Sequence, residues 1–171
     1  QVDHWEQDGM LPAKWKGIIQ RFVDGIEVSV EAWWDGESWS NHNITIEEKK
    51  CWTGNLGPSV GCAFNTVFPI KADSRLFKMV LDPVASLLKK NGYVGQIDTN
   101  SIVDAEGVPH ALEFTPRCGY DATPTLLWMG GASYGTEGAP ELKAPYACAV
   151  RLHVSPYPFE CKSDKLCHED Y

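Results

Sequence analysis

Apolar and polar positions alternate most clearly over residues 26–34, where Ile26, Val28, Val30, Ala32 and Trp34 interleave with Glu27, Ser29, Glu31 and Trp33. A period of two sends the two sets to opposite faces of a strand, so the pattern predicts a strand with one polar face. A weaker β pattern over residues 18–23 precedes it, with Asp24-Gly25 as the turn between them. Asp35-Gly36 is a strong hairpin signal and leads to a third strand ending near Ile44 and Ile46. The glycine-rich stretch 51–62 shows no period and reads as an irregular surface loop. Over residues 74–90, Phe77, Val80, Leu81, Val84, Leu87 and Leu88 recur at helical spacing, with Ser74 at the N-cap and Asn91-Gly92 as the stop. Pro83 should kink or divide that helix. A hairpin is predicted from 93–103 and 109–115 around Asp104-Ala105-Glu106-Gly107, then a short helix over 123–129. Gly130, Gly131, Gly135 and Gly138 mark a loop, and Tyr146, Cys148, Val150, Leu152 and Val154 a last alternating strand.

Length and composition predict one soluble globular domain. Its 171 residues, 43% of them hydrophobic, are enough for one core. A net charge of −8 disfavours a broad nucleic-acid or anionic-membrane surface, and duplex nucleic acid is the least expected partner. No apolar run has the length of a membrane helix and no signal-peptide pattern opens the chain, so a cytoplasmic protein without a membrane partner is expected. The chain starts at Gln1, which reads as a processed, excised or incomplete polypeptide. Cys51, Cys62, Cys118, Cys148, Cys161 and Cys167 are irregularly spaced and are expected to be reduced thiols. Cys161 and Cys167-His168 lack a second paired-ligand motif that would complete a zinc site. Asn43-Ile44-Thr45 matches a glycosylation acceptor, which has no meaning in the cytosol.

The chemistry concentrates in Ala111-Leu112-Glu113-Phe114-Thr115-Pro116-Arg117, where alternation puts Glu113 and Thr115 on one face and Leu112 and Phe114 on the other. A carboxylate, a hydroxyl and a guanidinium so close together suit a metal-bound phosphate. Magnesium takes oxygen ligands and is commonly held by one or two carboxylates plus substrate phosphates. Backbone N–H groups of a glycine-rich turn such as Gly54 to Gly61 can cradle an anion. By themselves, Lys50 reads as a solvated charge and the glycines as ordinary turns.

In order, Phe22-Val23-Asp24-Gly25-Ile26-Glu27-Val28-Ser29, then Lys49-Lys50, then Gly54-Asn55-Leu56-Gly57-Pro58-Ser59-Val60-Gly61, then Gly95 through Glu113-Phe114-Thr115-Pro116-Arg117, resemble the ATP-grasp ligases. Within them the likeness is greatest to the phosphoribosylamine–glycine ligases and covers roughly Ile18 to Pro156. The resemblance implies a lead-in segment 1–17, an α+β ATP-grasp C-terminal-like domain over 18–156 with a mainly antiparallel sheet and helices on one face, and a tail 157–171. It implies ATP as cofactor together with Mg2+, or Mn2+ in its place. Glu27 and Phe114 would face the nucleotide, and Glu113, Thr115 and Asn100 would hold the metal. Lys50, Gly54, Gly57, Pro58, Ser59, Gly61 and Arg117 would bind a small anionic substrate, Lys50 and Arg117 acting also in catalysis. Thr115 stands where the family has asparagine, Gln20-Arg21 where it has an acidic pair, and Gly119-Tyr120-Asp121-Ala122 where it has Gly-Asp-Pro-Glu.

The family closes ATP between two subdomains, so the resemblance also implies a partner: the other ATP-grasp subdomain, in the same chain or another. Three functions follow as expectations. The first is part of an ATP-dependent carboxylate–amine ligase acting through an acyl-phosphate. The second is a non-catalytic module that binds a nucleotide or serves as a protein scaffold, for which Trp5, Trp15, Trp33 and Trp52 offer candidate surface. The third is an amino-acid ligase of changed substrate.

Overall fold

The computed structural model describes residues 18, 20–119, 122–130, 142–154 and 157. The strands β1 (Ile26–Trp34), β2 (Trp39–Trp52), β3 (Leu56–Pro69), β4 (Gly95–Val103), β5 (Pro109–Thr115) and β6 (Ala147–Val150) form a single antiparallel sheet in the order β5-β4-β1-β2-β3-β6. Helices α1 (Arg75–Val80) and α2 (Ala85–Lys90) lie between β3 and β4, and α3 (Ala122–Gly130) precedes β6. The expected α+β architecture with a mainly antiparallel sheet is what forms.

The alternation of β1 decides both faces. Val30 and Ala32, fully buried, meet Phe77, Leu81 and Ile97, with Trp39, Ile44, Ile70 and Leu88 packed around them. Trp39 bridges Trp34 and Phe77 by edge-to-face contacts at 4.9 and 5.8 Å, a geometry that aromatic quadrupoles favour. Pro83 divides the helical segment as expected: α1 ends, a 3-10 turn runs over Asp82–Val84, and α2 restarts the helix. Ser74 occupies the N-cap without a side-chain capping bond. On the opposite face, Val67 packs with Ala122, Leu126 and Met129, so α3 covers the β3–β6 end of the sheet and the helices occupy both faces rather than the expected one. What α3 leaves uncovered on that face is mostly polar.

Several expectations fail for identifiable reasons. Residues 18 and 20–24 form no strand: Ile18 and Phe22 are 87% and 86% exposed, so their alternation finds no sheet partner. The stretch 51–62 is no irregular loop but the tip of a long hairpin, with Trp52 opposite Leu56. Gly54 and Asn55 both have positive φ, which matches the strand twist in a tight turn and is open to glycine and asparagine. Register shifts between Glu48, Lys50 and Trp52 erase the period-two signal there. The β4–β5 turn is closed by Asp104, whose carboxylate accepts from the Glu106 and Val108 N–H groups and pairs with His110 Nε2 at 2.8 Å. Asn43 of the glycosylation pattern is fully buried. The described cysteines, Cys51, Cys62, Cys118 and Cys148, are free thiols. Among the described residues no helix is long and apolar enough to cross a membrane. Trp5, Trp15, the 1–17 lead-in, Gly131, Gly135, Gly138 and the Cys161, Cys167 and His168 tail lie outside the described residues.

Gly25 leads into β1 against the backbone of β4. A Cβ on it would stand 2.3 Å from the Val103 carbonyl oxygen, an atom that moves only with the strand. Gly25→Ala is expected to lower stability by about 1–3 kcal/mol, the usual cost of overpacking, read as a reduced urea midpoint with an unchanged m-value. An unchanged midpoint would show that β1 enters the sheet another way.

Candidate functional site

Strand pairing arranges the polar face in transverse rows. Thr115, Asp98, Glu31 and Asn43 follow one another across β5, β4, β1 and β2; Glu113, Asn100, Ser29 and Thr45 form the next row. Glu27 and Glu47 follow on β1 and β2, with Asn65 beyond on β3. The middle of the face is sealed: Ser29, Glu31, Asn43 and Thr45 are fully buried, and Asp98 and Asn100 are nearly so.

A cleft of about 300 Å³ opens over these rows, lined by Glu47, Lys49, Gly61, Asp98, Asn100, Glu113, Thr115, Arg117, Gly119 and Arg151 among others. At its centre Lys49 Nζ pairs with Glu47 and, at 3.2 Å, with Glu27. Burial works against the Lys49 charge, but the Glu47 and Glu27 carboxylates outweigh it and hold its pKa above the usual lysine value. Asn100 Nδ2 donates to Glu47 at 3.5 Å, leaving its own carbonyl oxygen buried without a partner. Thr115 Oγ1 donates to Asp98 Oδ2 at 3.2 Å. The Gly119 N–H donates to Glu31 Oε1 at 2.7 Å. Burial, then the nearby Asp98 charge, push the Glu31 carboxyl well above the usual range against that amide's pull. Burial likewise raises Asp98, opposed by its hydrogen-bonded hydroxyl neighbours. Cys118 is pushed up to about 12 by burial and then by the Glu31 and Asp98 charges, so it is an inert thiol.

The residues singled out by resemblance divide into two groups. Asn100, Glu113, Thr115, Arg117 and Gly61 line this one cleft, and Glu27 reaches it through Lys49. Lys50 does not: it is exposed and lines a neighbouring recess of about 310 Å³ with Trp52, Thr53 and Phe64, while Lys49, one residue earlier, faces the cleft. Phe114 falls on the opposite face from Glu113 and Thr115 and is 54% exposed. Gly54, Gly57, Pro58 and Ser59 sit in the β2–β3 hairpin and are not among the cleft-lining residues. Four cleft or near-cleft residues, Glu31, Glu47, Asp98 and Arg151, do not stand out in the sequence as site residues. The period-two polar face of β1 is the signal that could have found Glu31, and the same alternation through Asp98 and Asn100 could have found Asp98.

Among the described residues no three His, Cys, Asp or Glu side chains converge as a metal-binding group. On the β4–β5 wall the cleft offers the carboxylates of Glu113 and Asp98, the Thr115 hydroxyl and the Asn100 amide carbonyl, with the Glu47 carboxylate committed to Lys49. That set suits a hard cation whose remaining ligands come from a substrate and water rather than from a protein cage.

No protein-family model matches the chain. The phosphoribosylamine–glycine ligase of Leptospira interrogans is 29% identical over 118 residues, covering 66% of this chain and 28% of that protein. The Listeria monocytogenes enzyme of the same name is 30% identical over 132 residues, covering 71% and 31%. The crystal structure of phosphoribosylamine–glycine ligase from Thermotoga maritima superposes with a TM-score of 0.59 at 19% identity, covering 80% of this chain and 38% of that one. The chain thus spans less than a third of the length of these curated relatives. In sequence over about two thirds of its length, and in fold, the chain resembles the ATP-grasp part of phosphoribosylamine–glycine ligase.

Proposed function

We propose that this chain forms the C-terminal ATP-grasp part of an ATP- and Mg2+-dependent carboxylate–amine ligase related to phosphoribosylamine–glycine ligase. The observation that carries the reading is the meeting of Asn100, Glu113, Thr115 and Arg117 on one cleft wall, although they come from two strands and the turn that follows.

Glu113, Thr115 and the buried, unpartnered carbonyl oxygen of Asn100 would hold the cation. Thr115 donates its proton to Asp98, which turns its oxygen into an acceptor. When bound, Mg2+ supplies charge neutralisation at the transferred phosphate. Arg117, at the cleft rim, offers a fork of N–H donors to an anionic carboxylate or phosphate; its Nη1 already donates to the Cys118 carbonyl at 2.9 Å, which fixes the guanidinium. Lys49, held between Glu27 and Glu47, brings one half-buried positive charge to the same wall. These groups position charge; the other wall of an ATP-grasp cleft, in the same chain or another, would complete the site. Because phosphoryl transfer relies mostly on positioning and charge stabilisation, the carboxylate's activation and the amine's attack depend on that completed cleft.

Isothermal titration with ATP, with and without Mg2+, tests the reading. Binding should require Mg2+ and weaken by about tenfold or more in Glu113→Ala, the scale of one lost charge-assisted contact. Binding indifferent to Mg2+ and to Glu113 would favour a nucleotide-binding module without ligase chemistry.

A further inference from the structure

The reverse face of the sheet carries a recess that the ligase reading leaves unused. Glu48, Phe64 and Val150 are direct partners across β2, β3 and β6 and share the face of Ile44 and Val30, whereas Glu47, one residue earlier, points into the cleft. Helices α1 and α2 pack over Val30 and Ala32 and leave this end of the face open, with Val150 65% exposed. The recess holds about 310 Å³, at the small end of ligand-binding cavities. Ala63, Phe64 and Val150 give it an apolar lining, joined by Trp52, Lys50 and Glu48. Trp52 is 58% exposed, yet its ring is backed by the chain: the indole lies against Gly57, where a Cβ would stand 2.8 Å from Cδ2 and Cε3. Gly57 has φ +83°, so the backbone that supports the ring is one that glycine adopts freely. The Lys50 N–H donates to Asn55 Oδ1 at 3.0 Å, which fixes its backbone across the hairpin. Its exposed ammonium has no ion-pair partner among the described residues.

We propose that this recess binds a small aromatic carboxylate, its ring against Trp52 and the apolar lining and its carboxylate paired with Lys50. An exposed indole already held by backbone offers a flat apolar surface and loses little freedom when a ring stacks on it. Lys50 supplies one compact charge with three N–H donors. The two side chains belong to positions two residues apart on β2, about 7 Å along a strand, so the ligand's charge must sit directly on or next to its ring. Glu48 in the same recess repels a ligand of several negative charges, which makes a single carboxylate the match and a polyphosphate such as ATP a poor one. Arg151 stands between the two sites and lines both the recess and the cleft. The inference is separate from the ligase reading, because Asn100, Glu113, Thr115 and Arg117 line the cleft and not this recess.

The 171-residue chain, labelled with 15N, would be titrated with benzoate, benzamide and acetate while the Trp52 indole N–H and the backbone amides are followed. Benzoate carries ring and charge, benzamide the ring alone and acetate the charge alone. Benzoate should move the Trp52, Lys50, Phe64 and Val150 signals saturably, benzamide should bind about threefold or more weaker, and acetate should give no saturable shift. Trp52→Ala should weaken benzoate about tenfold or more, and Lys50→Gln should remove its advantage over benzamide. Both side chains are exposed, and the spectrum of each variant confirms its fold; if one does not fold, the other carries the comparison. The proposal is overturned if benzoate gives no saturable shift, if benzamide binds as tightly as benzoate, if the folded variants bind like the parent, or if the shifts centre on Arg117 and Gly119 in the cleft. Signals of Trp52 and Val150 that move on dilution without ligand would assign the recess to a second copy of the chain and likewise overturn it.

Discussion

Truncating Leu81 to alanine is expected to cost about 2–5 kcal/mol, the range for a fully buried leucine whose cavity cannot collapse. Leu81 is completely enclosed between Phe77, Val30, Ala32 and Ile97, and its N–H donates to the Phe77 carbonyl at 2.9 Å as α1 ends. It is the point at which the segment broken by Pro83 is pinned to the sheet, so the loss falls on the only helical layer of that face among the described residues. Leu87, on α2 but 58% exposed, serves as the control and should change stability by less than about 0.5 kcal/mol on the same truncation. Urea unfolding of both variants checks the pair. Equal effects would mean that the helices do not pack on the Val30 face.

Glu31→Gln is expected to stabilise the ligand-free chain at neutral pH by about 1–3 kcal/mol. The side chain is fully buried, faces Asp98 on β4 and Glu47 on β2, and is held by the Gly119 N–H and the Asn43 side chain, which together do not offset burial. An amide of the same shape still accepts from the Gly119 N–H and has no charge to bury beside Asp98. The pH dependence follows from the direction of the shift. Since the folded pKa is raised above the unfolded carboxylate value of about 4.3, the parent's stability from this group is full below that value and lost as pH rises through the folded pKa. The variant lacks that slope, so its advantage should widen between about pH 5 and about pH 8 in denaturant titrations. An advantage that shrinks as pH rises would mean that Glu31 is ionised and paired in the folded chain.

What the sequence made legible was what depends on short-range order. The β1 strand, the break at Pro83 and the β4–β5 hairpin each follow from neighbours within a few residues, and each formed where the pattern placed it. The long β2–β3 hairpin stayed hidden because positive φ at Gly54, Asn55, Gly57 and Gly61, together with register shifts, breaks the alternation a reader counts. The site divides the same way. Glu113, Thr115 and Arg117 are visible as a cluster because they are sequential. Glu31 and Asp98 meet only through β1–β4 register, 67 positions apart along the chain, so neither stands out alone. Lys49 and Lys50 show how little separates the cleft from its neighbour: on a strand one residue changes the face.

The central claim is the location of the cation on the β4–β5 edge of the cleft, and Mn2+ reads it directly because its paramagnetism broadens nearby amide signals. With ATP present, substoichiometric Mn2+ should broaden Asn100, Glu113 and Thr115 first, spare the β2–β3 hairpin around Gly54, and lose this effect in Glu113→Ala. Broadening centred on the Lys50 and Trp52 recess, or a pattern unchanged in Glu113→Ala, would contradict the account.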